Sequence, residues 1–368
     1  MEIFIQQGIL SNGIQTVQNA VTQKSSLPIL ANVLIEADSK NLKLTATDLD
    51  IGISTVIAVE STEQEGSITV PAKKFFDIVK AMPEGNDIGL SIKKNNLLTI
   101  KSGKSQFKII GLPKEDFPAL PIFEDKDSVL IEQKALKEMF NMTDFAISKE
   151  DARHVLTGVL FVVKKDGVTV VGTDGRRMAV VNKKLTTPTL VTREVIIPIK
   201  TVQEVKRLLS DEGEVKISFS DNQIQFSFSS VFIISRLIEG EYPDYKKVIP
   251  EKSNKIVSIL RNDFLNAAKR VSIFTDQESQ AVKIKIQKKK MIMSKTTQYL
   301  GEAMEEVNIE YSGENEVEIG FNPRYLMDVL KGLSEEEVNF EINDQNKPGV
   351  IRSGEEYVYV VLPMQIVE

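Results

Sequence analysis

The chain has 368 residues, 42% hydrophobic and 27% charged, with a net charge of −6, one histidine and no cysteine. That length exceeds one comfortable hydrophobic core, so two or three domains are expected. Without cysteine, a G-x-x-x-x-G-K-[ST] loop or a G-x-G-x-x-G run, the common zinc sites and phosphate cradles are excluded, and His154 stands alone with no nucleophile elbow beside it.

In chain order, alternating residues predict a strand at 3–6, and an amphipathic pattern predicts a helix at 11–23. Strands follow around Leu42, Leu44 and Ala46, and then comes the segment Val70-Pro71-Ala72-Lys73-Lys74-Phe75-Phe76-Asp77, a helix signal headed by proline and extending to about 82. Strands at 87–92, 97–102 and 105–111 close this first unit, and a proline-containing acidic linker occupies 120–127. The second unit opens with a strand at 129–132 and a helix at 133–147. It continues with strands at 158–163 and 168–171 and a helix at 199–209 that begins Ile197-Pro198-Ile199-Lys200. After a second linker at 250–254, a strand at 255–259, a helix at 261–272 and a helix at 323–333 mark a third unit. That last helix begins Phe321-Asn322-Pro323-Arg324.

The three helix signals lie 127 and 124 residues apart. Other landmarks keep the spacing: Thr47-Asp48 returns as Thr173-Asp174, Phe117-Pro118 as Tyr242-Pro243, and Phe107 to Pro113 as Tyr357 to Pro363. So many matches in register predict three similar domains in tandem, at 1–122, 128–249 and 254–368. Each has two helices laid on one face of antiparallel sheets, an α+β fold. No apolar run reaches the roughly 18 residues of a membrane span. Met1-Glu2-Ile3-Phe4-Ile5 lacks the basic region of a signal peptide, so a cytoplasmic location is expected.

Charge is unevenly spread. The six predicted helices carry +8, leaving −14 for strands and loops. A basic residue recurs at one place in each proline-headed helix, as Lys73, Lys200 and Arg324. Such a lattice suits duplex phosphates, whose contacts carry no sequence information.

Several stretches resemble the bacterial DNA polymerase III beta subunit family, the sliding clamps. They are Leu27-Pro28-Ile29-Leu30, Thr45-Ala46-Thr47-Asp48-Leu49-Asp50, Val70 to Asp77, Val171-Gly172-Thr173-Asp174-Gly175-Arg176-Arg177-Met178, Glu239-Gly240-Glu241-Tyr242-Pro243-Asp244-Tyr245, Ile319-Gly320-Phe321-Asn322 and Val360-Val361-Leu362-Pro363-Met364. The resemblance implies a non-enzymatic clamp without cofactor or metal. Two such chains close head to tail into a ring around double-stranded DNA and confer processivity on replication. It also implies a pocket for short peptides of the polymerase III alpha subunit, other polymerases, the clamp loader and repair proteins. The matching pocket positions are Leu156, Thr173, Gly175, Arg176, Arg177, Met178, Pro243, Lys247, Val248, Val360, Leu362, Pro363 and Met364. Matching DNA positions are Lys24, Lys73, Glu150, Arg153 and His154, to which the repeat adds Lys200 and Arg324. Glu150 is acidic where the family carries an amide, and His154-Val155 stand where it carries aromatic residues. For the ring interface, Phe107 and Ile109 are expected on one face of a strand of the first domain, facing Ile273 and Phe274 of the third.

Two other readings fit the sequence less well. Asp48, Asp50 and Asp174 would suit a two-metal nuclease, although aspartate at strand ends more often serves turns. A scaffold that never touches DNA would suit the acidic surface.

Overall fold

The computed structural model describes residues 1–366 except 23–26, 94, 122, 124–127, 150, 277–278 and 299. The first repeat begins with β1 (Glu2–Gln6), α1 (Gln7–Val17), β2 (Asn32–Ala37), β3 (Asn41–Thr47) and β4 (Ile51–Ala58). Then come β5 (Ser61–Gln64), β6 (Gly66–Pro71), α2 (Ala72–Lys80), β7 (Asp87–Lys93), β8 (Leu97–Ser102) and β9 (Ser105–Ile110). The second comprises β10 (Ser128–Glu132), α3 (Gln133–Asn141), β11 (Gly158–Lys164), β12 (Gly167–Thr173), β13 (Arg177–Lys184) and β14 (Arg193–Pro198). It ends with α4 (Ile199–Leu208), β15 (Glu214–Phe219), β16 (Gln223–Phe228) and β17 (Val231–Arg236). The third opens with β18 (Ile256–Leu260), α5 (Arg261–Val271), β19 (Val282–Ile286), β20 (Lys290–Thr297) and β21 (Gly301–Asn308). It closes with β22 (Glu310–Tyr311), β23 (Val317–Phe321), α6 (Pro323–Gly332), β24 (Glu337–Glu341), β25 (Gly349–Ser353) and β26 (Tyr357–Val361).

Each proline-headed signal becomes a helix directly after a strand. In α6 the Asn322 side chain accepts from the Arg324 N–H at 3.0 Å, which satisfies one orphan donor of the first turn. These helices bury an apolar stripe, Ala72, Phe75 and Val79 in α2 and Leu326, Val329 and Leu330 in α6, and leave the polar face out.

Helix bounds differ from the sequence expectation chiefly in α1 and α3, and α1 ends at Val17, not at 23, giving way to a 3-10 turn at Gln18–Ala20. The first helix starts at Gln7, not at 11, because its buried stripe Gln7, Leu10, Ile14 and Val17 runs on from β1 without a loop. The helix expected at 133–147 stops at Asn141. Thr143 Oγ1 folds back to the Met139 carbonyl at 2.8 Å, and a separate 3-10 turn follows at Asp144–Ala146.

The chain forms two compact units, Met1–Lys134 with Gln203–Leu237, and Ala135–Val202 with Ile238–Glu368. The middle repeat is therefore divided between them. In the first unit one sheet runs β10-β15-β16-β17-β4-β3-β2-β6, joining strands of the first and second repeats, and a shorter one runs β5-β1-β7-β8-β9. In the second unit one sheet runs β14-β11-β12-β13-β26-β25-β24-β18-β22, joining the second and third repeats, and a shorter one runs β21-β20-β19-β23.

The two junctions between repeats are the same junction. β17 pairs with β4, placing Val231 opposite Thr55, Phe232 opposite Ser54 and Ile233 opposite Ile53. β26 pairs with β13, placing Tyr357 opposite Val181, Val358 opposite Val180 and Tyr359 opposite Ala179. Both strands shift by 126 residues between the two cases, so the register is identical. At each joint the last strand of one repeat adds to the third sheet strand of the repeat before it.

Candidate functional site

The turn between β12 and β13 is built by side-chain acceptors. Thr173 Oγ1 donates to the Arg177 carbonyl at 2.6 Å and accepts from the Gly175 N–H at 3.0 Å. Asp174 Oδ1 accepts from the N–H groups of Arg176 and Arg177 at 2.8 and 3.0 Å. Gly175 sits at φ +82°, the left-handed region, and a Cβ there would come within 2.5 Å of the Arg153 guanidinium. The first repeat makes the same turn. Thr47 Oγ1 donates to the Ile51 carbonyl at 3.0 Å, and Asp48 Oδ1 accepts from the Asp50 and Ile51 N–H groups, with Leu49 held at φ +80°. Asp48 and Asp174 of the nuclease reading thus serve turns, while the exposed Asp50 carboxylate lies 4.0 Å from Arg236, and among the described residues no three His, Asp or Glu side chains are grouped to hold a metal.

In the second unit this turn forms one wall of a small cleft of about 130 Å³ that opens to solvent. Its lining comprises Thr173, Gly175, Arg176, Arg177 and Met178 from the turn and β13, Leu156 from the chain before β11, and Val360 and Leu362 from β26 and beyond. Pro243, Tyr245 and Val248 complete it. Leu156, Met178 and Val360 also belong to a buried apolar cluster with Leu160, Val171, Val180, Ile196 and Tyr242. They form the floor, while Leu362 and Val248, at 39% and 48% exposure, stand at the rim. The N–H of Leu362 donates to the Arg176 carbonyl at 2.9 Å, fixing the chain end to the turn. Tyr242 anchors the opposite side, its hydroxyl 3.4 Å from the Val171 carbonyl, and burial pushes its phenol pKa well up.

Arg177 is the charged group at the base. Its Nε donates to Asp174 Oδ2 at 3.1 Å, Nη1 to Asp328 Oδ2 at 2.7 Å and Nη2 to the Phe145 carbonyl at 2.6 Å. Burial opposes its charge, but Tyr359, Asp328 and Asp174 outweigh burial and hold its pKa above the usual arginine value.

Ten of the thirteen expected pocket positions line this cleft. Lys247 does not, because its ammonium turns outward to Asp244 at 3.1 Å. Pro363 and Met364 line a neighbouring depression with Gly320, Gln345 and Ile366, and the Met364 N–H is bound to the Gly320 carbonyl at 2.8 Å. Tyr245 lines the cleft without having been expected, although it stands two residues after Pro243 in the motif already singled out.

Of the expected DNA positions, Lys24 and Glu150 lie outside the described residues. Arg153 is exposed at φ −118°, ψ 65°, which interrupts its 3-10 segment, and His154 is exposed with its carbonyl accepting from Thr157 Oγ1 at 2.7 Å. Lys73, Lys200 and Arg324 are each the exposed second residue of α2, α4 and α6. A cation at that end opposes the helix dipole, so local helix stability does not account for its threefold recurrence.

Of the expected interface positions, Phe107 is 41% exposed, but Ile109 is 7% exposed and packs inside its own unit; Ile110, at 76%, points out instead. Ile273 is 72% exposed, and the Phe274 ring lies 3.7 Å from where a Cβ on Gly301 would stand, at the start of β21.

Comparison with known proteins matches the chain throughout. Profiles of the DNA polymerase III beta subunit match in three pieces, the N-terminal domain at 1–121, the central domain at 130–244 and the C-terminal domain at 246–365. The chain is 34% identical over 366 residues to the beta sliding clamp of Chlamydia pneumoniae, covering 100% of this chain and 99% of that one. Its structure is similar to the DNA polymerase sliding clamp of Bacillus subtilis, with a TM-score of 0.95 at 29% identity and complete coverage of both chains. It is equally similar to the sliding clamp of Bartonella birtlesii bound to griselimycin, with a TM-score of 0.94 at 34% identity and complete coverage of both.

Proposed function

The chain belongs to the DNA polymerase III beta subunit family, the sliding clamps, and from that premise we propose that two copies close head to tail around duplex DNA. It is a clamp of three tandem domains, and among the described residues no helix is long and apolar enough to cross a membrane. The observation that carries the ring is the strand order. Two sheets join consecutive repeats in the same order, and the two short sheets are the two halves of a third. The order β5-β1-β7-β8-β9 matches β22-β18-β24-β25-β26, and β21-β20-β19-β23 matches β13-β12-β11-β14. β9 and β21 end their sheets, so a β9 that met β21 of a second copy would repeat the joint already made twice within the chain.

In this reading the chain does no chemistry itself. Lys73, Lys200 and Arg324, together with Arg153 and His154, meet phosphates without reading bases. The cleft at Thr173–Met178 receives short peptides of polymerases, of the clamp loader and of repair proteins in the cytoplasm, and the same cleft takes griselimycin. Its chemistry supports this use: an apolar floor supplies affinity, and the exposed Arg176 side chain orients the guest.

The test of the ring is topological. Protein placed on nicked circular plasmid by a clamp loader and ATP is expected to stay on the circle through gel filtration and to fall off when the circle is cut. Its solution mass should be twice the 41.1 kDa of the chain. Loss from intact circles at the same rate as from linear DNA would favour the scaffold reading.

The test of the cleft is Leu362→Asp. Leu362 is 39% exposed at the rim, so a charge there leaves the fold intact. Griselimycin affinity, read by fluorescence anisotropy, is expected to fall about tenfold or more, the range for losing an apolar anchor. Unchanged affinity would place the guest elsewhere.

A further inference from the structure

Arg177 belongs to two structures at once. It lines the cleft and closes the Thr173–Arg177 turn, while its Nη1 binds Asp328 of α6 at 2.7 Å and its guanidinium lies 4.3 Å from the centre of the Tyr325 ring of the same helix. A second strut runs alongside. The Tyr359 hydroxyl donates to the Tyr325 carbonyl at 2.9 Å, and Tyr359 sits on β26 opposite Ala179, adjoining the floor residues Met178 and Val360. The first turns of α6 are therefore tied to both strands under the cleft, and Arg324 is the residue next to Tyr325.

The Arg177 side chain is 8% exposed, and each of its three nitrogens has a partner. Asp174 shapes the cleft wall and Asp328 belongs to the helix, so the cation holds one to the other. Removing one carboxylate from a buried cation leaves its charge less compensated and loosens the arrangement that the pair held together.

We propose that Asp328, which does not touch the cleft, is a positioning residue for it acting through Arg177, and that duplex contact at Arg324 changes guest affinity through the same link. This rests on the readings of the cleft and of Arg324 given above. Linkage makes the effect reciprocal: if engaging phosphate at Arg324 alters guest affinity, guest binding alters the hold on DNA by the same factor.

The experiment measures labelled griselimycin binding to the full protein, free and on closed circular DNA. Asp328→Asn keeps the shape and an acceptor but removes the charge, and is expected to weaken binding about 3- to 30-fold, the span of mutations that modulate coupling. Tyr325→Leu, which removes the ring beneath the guanidinium, should shift affinity in the same direction. In the wild type, affinity on circular DNA should differ from the free value by at least about twofold, and that difference should vanish in Asp328→Asn. Melting midpoint and dimer mass, read in parallel, separate positioning from instability, since a purely structural role would not erase the DNA-dependent difference. Unchanged affinity in both variants beside normal wild-type binding overturns the link alone. A wild type that Leu362→Asp does not weaken overturns the cleft assignment and the link with it.

Discussion

Reversing Lys104 and Lys108 to glutamate is expected to leave a folded monomer that circular DNA no longer retains. Applying the register of the two internal joints to β9 and β21 predicts the pairs. The third repeat aligns on the second through its own ladder, where Ser294 faces Met304 as Val171 faces Val180. The first aligns on the second through its last hairpin, where Ser102 faces Ser105 as Phe228 faces Val231, so Ser105, and not Phe107 as the sequence match suggests, is the counterpart of Tyr357. Ser105 then stands opposite Glu305 of the second copy, Phe107 opposite Ala303, Lys108 opposite Glu302 and Lys104 opposite Glu306. Both lysines and both of these glutamates are exposed. The two charge pairs fall on one face of the joint, with Gln106 and Met304 between them. Glu305 on the other face is held within its own chain by Arg270, at 2.7 Å to each oxygen, and that hydrogen bonding keeps its pKa below the usual carboxylate value. Glu306 meets Lys290 of its own chain at 2.9 Å and would share its charge with Lys104. Placing like charges directly opposite costs roughly 1 kcal/mol per pair relative to attraction. With two pairs at each of two seams, about 4 kcal/mol weakens the dimer close to a thousandfold. Adding Glu302→Lys and Glu306→Lys to the same chain should restore both dimer mass and retention. A double variant that sediments as a dimer, or a quadruple variant that stays monomeric, would show that the seam has another register.

The second large effect is expected from reversing Lys73, Lys200 and Arg324 together. Each is exposed at the second residue of its helix, so fold and dimer mass should be unchanged. A ring carries six such positions, and the salt slope of duplex binding falls by about 0.9 for every phosphate that is no longer neutralised. If all six engage, the slope falls by about five and the hold on linear duplex at low salt drops by several orders of magnitude. Retention on closed circles should fall less, because linkage there is topological. Single reversals should do little. A triple variant with the wild-type salt dependence would move the DNA face away from these helices.

Much of this was legible in the sequence, and the failures have physical causes. α2, α4 and α6 could be read because proline marks their first turn and the apolar stripe follows at helical spacing. The start of α1 could not, because β1 passes into Gln7 with neither a capping side chain nor a loop. Most of the cleft could be read from three separated motifs, yet the side chains of Lys247 and Met364 go elsewhere. Asp244 draws one aside, and the backbone pairing of Met364 with Gly320 turns the other into the next depression. Burial of Ile109 beside an exposed Ile110 was hidden because alternation gives faces but not which face the rest of the unit covers. The division of the middle repeat was equally hidden. Periodicity reports what recurs within each repeat, whereas the pairings of β17 with β4 and of β26 with β13 are made between repeats.

The identity of those two joints has a kinetic consequence for the third. If the seams are copies of the internal joints, all the joints of a ring carry similar hydrogen bonds, and they differ only in whether a peptide linker also spans them. An opened internal joint has its linker to draw it back. When one seam opens, the other still tethers the two free ends, so reclosure is a first-order event at an effective concentration that tethering typically places near millimolar. Dilution acts only once both seams are open at the same moment. A ring on DNA should therefore outlast by a wide margin the lifetime of a single seam, and its residence time should not depend on how much free protein surrounds it.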